Sequence, residues 1–317
     1  MSAPLYCGPE EIRRALGYPA CIAAMREAMV ALSKGETRQL LRSIIPLAAG
    51  RAFGIMPGAL SAGGVFGAKL LSVDPGAPAR GGRSHQGVVV LFKASGEGVS
   101  AILDAGEITA IRTGAASAAA TDALARPEAT RLAILGAGEQ AASHARAIAC
   151  VRDLSEIIVW GRSPNKARAL AERLSRELSR EVRFHPDARQ AVQEADIICT
   201  ASGARDPILF SDWVKDGCHI NAVGSSVAGP AEIEPALVAR ARFIADHRAG
   251  ILAQGGEFLR AKEAGLIDDA HVAAEIGEVF SGAAPGRRSP FEVTIYKSLG
   301  HIVQDLAAAN LVVGDLR

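Results

Sequence analysis

Gly136-Ala137-Gly138-Glu139-Gln140-Ala141 follows the apolar run Leu132 to Leu135 and opens a segment with helical periodicity, Gln140 to Val151. Strand, glycine turn and helix in that order begin a dinucleotide-binding βαβ unit. Gly136 lets the chain turn. Gly138 leaves room for a pyrophosphate against the backbone, and Ala141 is small enough for helix and strand to pack. The free N–H groups and positive dipole end of the helix then face the phosphates. Ala137, Glu139 and Gln140 complete the predicted cradle.

The second strand sharpens the reading. Ile157-Ile158-Val159-Trp160 is a β-type run, followed at once by Gly161-Arg162-Ser163-Pro164-Asn165-Lys166. A site built for NAD usually places an acid here to accept from the ribose 2′-hydroxyl. Gly161 stands in that place, with Arg162, Ser163 and Lys166 beyond it. A guanidinium, a hydroxyl and an ammonium suit a 2′-phosphate, and no carboxylate repels it. NADPH is the expected coenzyme, with NADH the alternative.

Composition agrees with an enzyme of two domains. The chain has 317 residues, 49% of them apolar and only 4% aromatic, so small aliphatic side chains must fill the cores. A formal net charge of +1 gives no electrostatic reason to bind nucleic acid or a membrane. The five cysteines are scattered without metal-ligand spacing, as expected of reduced thiols in a cytoplasmic protein. No run is long and apolar enough for a membrane span, and no export signal is evident.

Outward from the glycine turn, strands and helices alternate from Leu132 to about Ala283. Candidate strands are Leu132–Leu135, Ile157–Trp160, Val182–Phe184, Ile197–Cys199, His219–Val223 and Phe243–Ala245. This predicts an α/β fold, a doubly wound parallel sheet of Rossmann type covered on both faces. Before it lie one or two helices over Pro9–Lys34. An antiparallel α+β region follows, with strands at Ala52–Met56, Val65–Val73, Gly87–Lys93 and Val99–Leu103. A hairpin turn is expected at Gly96-Glu97-Gly98, and an Ala-rich helix over Ala105–Leu124. Thr294 to Val313 reads as helical and is expected to return to the first region. The expected division is 1–120 with 294–317, against 121–293.

Three cations sit in apolar surroundings: Arg42 between Leu40-Leu41 and Ile44-Ile45, Lys69 inside Val65 to Val73, and Arg112 among Ile108 to Ala116. A cation in such a run needs a partner or a cavity. The three together suggest a pocket for an anion, most simply a carboxylate.

These residues resemble the ornithine cyclodeaminase/μ-crystallin family along nearly the whole chain. The resemblance rests on Met56-Pro57, Lys69, His85-Gln86-Gly87, Asp104 with Glu107-Ile108-Thr109, Arg112-Thr113 and the glycine turn. It continues through Asn221-Ala222-Val223-Gly224, Glu275-Ile276-Gly277-Glu278 and Lys297-Ser298-Leu299-Gly300. It implies a Rossmann domain inserted into a substrate and dimerisation domain built from both chain ends, and a homodimer. It implies that Arg42, Lys69 and Arg112 hold a substrate carboxylate. Thr113, Thr200, Ala201, Val223 and Lys297 join the glycine turn and the segment after the second strand at the cofactor.

The departures choose among the family's chemistries. Cyclodeaminases resemble one another in an acid two residues before Met-Pro and another shortly after Val-Gly. This chain has Gly54 and Ser226. Both acids that would manage a distal amine are missing, which favours the ketimine-reductase branch: NADPH-dependent reduction of Δ1-pyrroline-2-carboxylate or Δ1-piperideine-2-carboxylate to proline or pipecolate. His85 is a candidate proton donor, and Glu275 and Glu278 are the acids that could replace the missing pair. The alternatives are an ornithine cyclodeaminase, an alanine or N-alkyl amino-acid dehydrogenase, and a non-catalytic NADPH-binding protein.

Overall fold

The computed structural model describes residues 3–74, 76–80, 85–96 and 98–316, with the side chains at 78, 79 and 85 outside that description. In chain order the elements are β1 (Leu5–Cys7), α1 (Pro9–Ala15), α2 (Tyr18–Ser33), β2 (Arg38–Gln39), β3 (Ser43–Pro46), β4 (Ala52–Ala59), β5 (Phe66–Val73), β6 (His85–Phe92) and β7 (Val99–Asp104). Then come α3 (Ala105–Leu124), β8 (Arg131–Leu135), α4 (Glu139–Ile148), β9 (Glu156–Trp160), α5 (Pro164–Leu178), β10 (Val182–Phe184), α6 (Ala188–Val192), β11 (Ile197–Thr200) and β12 (His219–Ala222). The last are α7 (Pro235–Arg240), β13 (Arg242–Ala245), α8 (Arg248–Gln254), α9 (Gly256–Glu263), β14 (Val272–Glu275), α10 (Ile276–Phe280), β15 (Thr294–Lys297) and α11 (Ile302–Asp315). Two compact units form, one from 1–112 with 301–317 and the other from 113–300.

The first unit is a sheet in the order β1-β7-β6-β5-β4-β2, with β3 also on β4. It is antiparallel except for the β1–β7 pair. α11 packs on α2 and lies against β4, β5 and β6. It is buried on nearly every face, which is why it reads as Ile302-Val303 and Leu306-Ala307-Ala308-Ala309 rather than as an amphipathic stripe. Glu97 of the expected hairpin turn lies outside the described residues.

The second unit is the expected Rossmann-type fold. Its sheet is wholly parallel, in the order β10-β9-β8-β11-β12-β15-β13-β14. β11, β12 and β15 are buried at every residue, as strands covered on both faces must be. Here one expectation fails. Thr294–Lys297 does not begin a helix; it is a strand inserted between β12 and β13. Its four residues are too few to show helical periodicity, and the pairing that makes them a strand comes from far along the chain.

A line of buried polar groups crosses this second core. His219 bridges Thr294 Oγ1 through Nδ1 at 2.9 Å and Asn221 Oδ1 through Nε2 at 3.3 Å. Asn221 Nδ2 donates to Thr121 Oγ1 at 2.9 Å, fixing the second half of α3 to the sheet. His144 does the same from α4, with Nδ1 on the Gln140 carbonyl at 2.7 Å and Nε2 on Ser117 Oγ at 2.9 Å.

Candidate functional site

The cations of the first unit converge. Lys69 lies on the buried face of β5, opposite Met56 in the β4–β5 register, and is 2% exposed; Arg112, on α3, is 4% exposed. Both turn to Asp305 on α11. Lys69 Nζ and Arg112 Nε each donate to Asp305 Oδ1 at 2.9 Å. Lys69 also donates to Thr109 Oγ1 at 2.6 Å, and that hydroxyl is itself oriented by the Ala105 carbonyl. Arg112 donates from Nη1 to Gln304 Oε1 at 2.8 Å. Lys69 thus keeps one N–H, and Arg112 several, without a partner among the described residues.

Two buried cations share one carboxylate, so positive charge is in excess. The ionisation of the lysine shows it. Burial pushes Lys69 down from 10.5 to about 8; Asp305 opposes this, while Arg112 and Arg42 push the same way. Arg42 therefore acts on the same cluster from the segment just before β3. Asp305 is held below the ordinary carboxylate value: burial would raise it, but Arg112 and Lys69 outweigh burial. Asp305 and Gln304 are absent from the sequence reading. An acid set among Ile302-Val303 and Leu306-Ala307-Ala308-Ala309 was the available signal, by the same rule that singled out the cations.

The acids that could serve a dibasic substrate are elsewhere occupied or absent. Gly54 shares a sheet face with Met56, two residues on, and a Cβ there would meet the side chains of Leu71 and Ile44. Glu275 and Glu278 form the capping box of α10, and Glu275 Oε1 accepts from the Arg248 N–H at 2.8 Å. Ser226 is half-buried. The His85 side chain lies outside the described residues.

In the second unit the glycine turn has the form its sequence requires. Gly136 has φ +152°, and a Cβ there would lie 2.3 Å from the Ala201 carbonyl oxygen. Gly138 caps α4, and a Cβ on it would meet open space, as a pyrophosphate position should. Glu139 begins α4, and Ala141 is fully buried beneath the turn. Gly161 comes so close to Ala137 that its Cβ would be 3.0 Å away. Arg162, Ser163 and Lys166 are exposed at the start of α5. Ser163 is the N-cap of α5, yet its hydroxyl makes no capping bond. Neither Arg162 nor Lys166 has a partner among the described residues, so their donors are unspent.

The remaining cofactor candidates flank the C-terminal ends of the central strands, where α/β sheets bind ligands. Thr200 ends β11, and its carbonyl accepts from the N–H of Val223 at 3.0 Å and of Gly224 at 3.2 Å. Ala201 follows. Thr113 is buried, and its hydroxyl has no hydrogen-bond partner among the described residues. Lys297 is fully buried. Its ammonium donates to the Ser225 carbonyl at 2.7 Å and Ser225 Oγ at 2.8 Å, and pairs with Glu257 Oε2 at 2.7 Å. Two of its donors are held by Ser225 and its charge is met by Glu257.

A Rossmann-type unit with an open glycine cradle, in a chain that also carries an α+β unit, defines a dinucleotide-binding protein. The chain belongs to the ornithine cyclodeaminase/mu-crystallin family, whose model matches residues 9–317. It is similar to the mouse protein ketimine reductase mu-crystallin, 36% identical over 315 residues, covering 98% of this chain and 96% of the mouse one. Among solved structures, Delta(1)-pyrroline-2-carboxylate reductase of Thermococcus litoralis, in complex with NADH and L-proline, superposes with a TM-score of 0.95. That pair is 29% identical and the match covers 98% of this chain and 97% of the other. An archaeal alanine dehydrogenase dimer with bound NAD matches with a TM-score of 0.92 at 26% identity, over 98% and 95% of the two chains.

Proposed function

We propose that this chain is an NADPH-dependent reductase of cyclic ketimine carboxylates, converting Δ1-pyrroline-2-carboxylate or Δ1-piperideine-2-carboxylate to proline or pipecolate. The observation that carries the reading is the excess of buried positive charge around Asp305, a receptor for one carboxylate. The similar proteins named ketimine reductase and pyrroline-2-carboxylate reductase support the imine. The coenzyme supplies hydride to the C=N carbon. The protein's part is to bind and orient. Arg112, Lys69 and Arg42 hold the carboxylate and fix which carbon is presented. Thr113, Gly136, Ala137, Gly138, Glu139 and Gln140 hold the coenzyme, with Thr200, Ala201, Val223 and Lys297 shaping the strand ends around it. Gly161, Arg162, Ser163 and Lys166 receive the 2′-phosphate. The proton that completes the amine comes from solvent or from His85.

Ornithine cyclodeamination is disfavoured. A distal ammonium calls for carboxylates to hold it and take its proton. Gly54 and Ser226 supply none, and Glu275 and Glu278 are engaged in capping. Amination of a 2-keto acid such as pyruvate is the second reading, favoured by the likeness to alanine dehydrogenase. The test is oxidation of NADPH and of NADH, followed by loss of the reduced nicotinamide's absorbance, with each cyclic imine, pyruvate plus ammonia, and, for ammonia release, ornithine with NAD. Turnover is expected with the imines. Robust ornithine turnover without imine reduction would reverse the assignment.

A further inference from the structure

Asp305 stands where the two buried cations meet, and it uses only one of its oxygens to do so. Oδ1 accepts from both Lys69 and Arg112, while Oδ2 is buried with no hydrogen-bond partner among the described residues. The carboxylate is fully buried on a fully enclosed turn of α11, so it cannot swing out to solvent. Asp305 is the carboxylate that pairs with both cations. Lys69 faces Thr109 and Arg112 from α3, Asp305 from α11 and Arg42 from the segment before β3. On α2, Cys21 faces Arg112, but burial pushes its thiol up to about 12, so it stays neutral.

We infer that Asp305 is a positioning residue of the carboxylate receptor: it holds Lys69 and Arg112 together and charged, with donors left over for an incoming anion, and it sets the pH at which the receptor fails. The inference rests on reading this cluster as the substrate-carboxylate site. Its physical basis is repulsion. Without a counter-ion, neighbouring buried cations repel, and the one able to lose a proton does so. Arg112 cannot; Lys69 can. Asp305 is the group that raises the lysine, against burial, Arg112 and Arg42.

The sign follows. In the unaltered protein Lys69 is charged below about pH 8 and loses its charge above it. Carboxylate affinity should be level below that point and fall above it by up to about tenfold per pH unit if binding requires the proton. Asp305→Asn should move the turning point to lower pH by at least about one unit. At about pH 6 the same variant should lose less affinity than it does at about pH 8, because more of the lysine holds its proton there.

The experiment is calorimetric titration of the full chain with pyrrole-2-carboxylate, a planar ring carboxylate that cannot accept hydride, from about pH 6 to about pH 9.5. Pyrrole-2-carboxamide is the uncharged control. A turning point that does not move in Asp305→Asn, or a loss that is equal at every pH, would overturn the inference and leave Asp305 a packing residue. Asp305→Glu keeps the charge and keeps the test valid if the asparagine variant does not fold. It should leave the turning point in place while weakening binding at every pH, since a longer side chain displaces both cations. Wild-type affinity in Asp305→Glu would overturn the positioning role. If the unaltered protein prefers the carboxylate no more than the amide, the underlying assignment of the receptor falls, and this inference with it.

Discussion

At the residue scale, two arginines do different work and should fail differently. Arg162 is exposed and unspent at the start of α5, with Gly161 in place of the usual acid. A guanidinium–phosphate contact is worth about 1.5–3 kcal/mol, or about 10–150-fold in affinity. Arg162→Ala should therefore weaken NADPH by that factor and NADH hardly at all, as measured by quenching of protein fluorescence with each coenzyme. Equal affinity of the unaltered protein for both coenzymes would remove the basis of the prediction. Arg112 is buried, but its removal leaves Lys69 on Asp305 as a neutral pair, so the fold has no orphaned charge. Arg112→Ala should lower kcat/KM for the imine by orders of magnitude while coenzyme affinity holds. Arg112→Lys keeps the charge without the planar fork and should also be severe. Activity within about threefold of normal in Arg112→Ala would show that the guanidinium does not hold the substrate.

At the element scale, the second unit carries an acid-sensitive seam. His219, fully buried on β12, is pushed down to about 3 by burial and by Arg287; burial pushes His144, on α4, down to about 4, against its bond to the Gln140 carbonyl. Unfolded, both return to about 6.5. Below that pH the unfolded chain binds more protons than the folded one, so stability falls as pH drops from about 6.5 towards each folded value. The slope is up to about 1.4 kcal/mol per pH unit for each histidine. His219→Gln, which keeps hydrogen-bonding atoms but cannot ionise, should lessen the loss of thermal stability between pH ~6.5 and ~4; an unchanged slope would show that His219 is not responsible. The elements differ in how well the sequence announces them. The glycine turn was legible because its demands are local: Gly136 must turn and Ala141 must be small. Lys69 and Arg112 were legible as charges in apolar runs. Asp305 was not, although the same logic applied, because its partner Lys69 is 236 residues away and nothing in the sequence pairs them. β1, β2, β3, β14 and β15 were missed for a related reason. Each has two to four residues, and such short runs become strands only through partners elsewhere.

At the scale of the whole molecule, the segment from 40 to 47 is the most conspicuous apolar surface. Leu40 is 70% exposed, and Leu41, Ile44, Ile45 and Leu47 are each more than 40% exposed on or beside β3. Exposed apolar side chains clustered in this way suit a contact surface. The family resemblance implies a homodimer, and this segment is where its contact is to be tested. Ile45→Glu should shift sedimentation from dimer towards monomer. Because Arg42 lies in the same segment, it should also weaken carboxylate binding while coenzyme affinity is retained; a variant that remains a dimer with full carboxylate affinity would place the contact elsewhere. The strand order of the Rossmann-type sheet carries a consequence of another kind. β15 sits between β12 and β13 but follows β14 in sequence. As the ribosome makes the chain, β12 has β11 and β13 gains β14, but the edges of β12 and β13 that β15 will join stay open until residues 294–297 appear. Asp305 comes later still, so the buried cations of β5 and α3 wait longest for their counter-ion. Open strand edges invite misassociation, so slower translation late in the message should prolong that exposure.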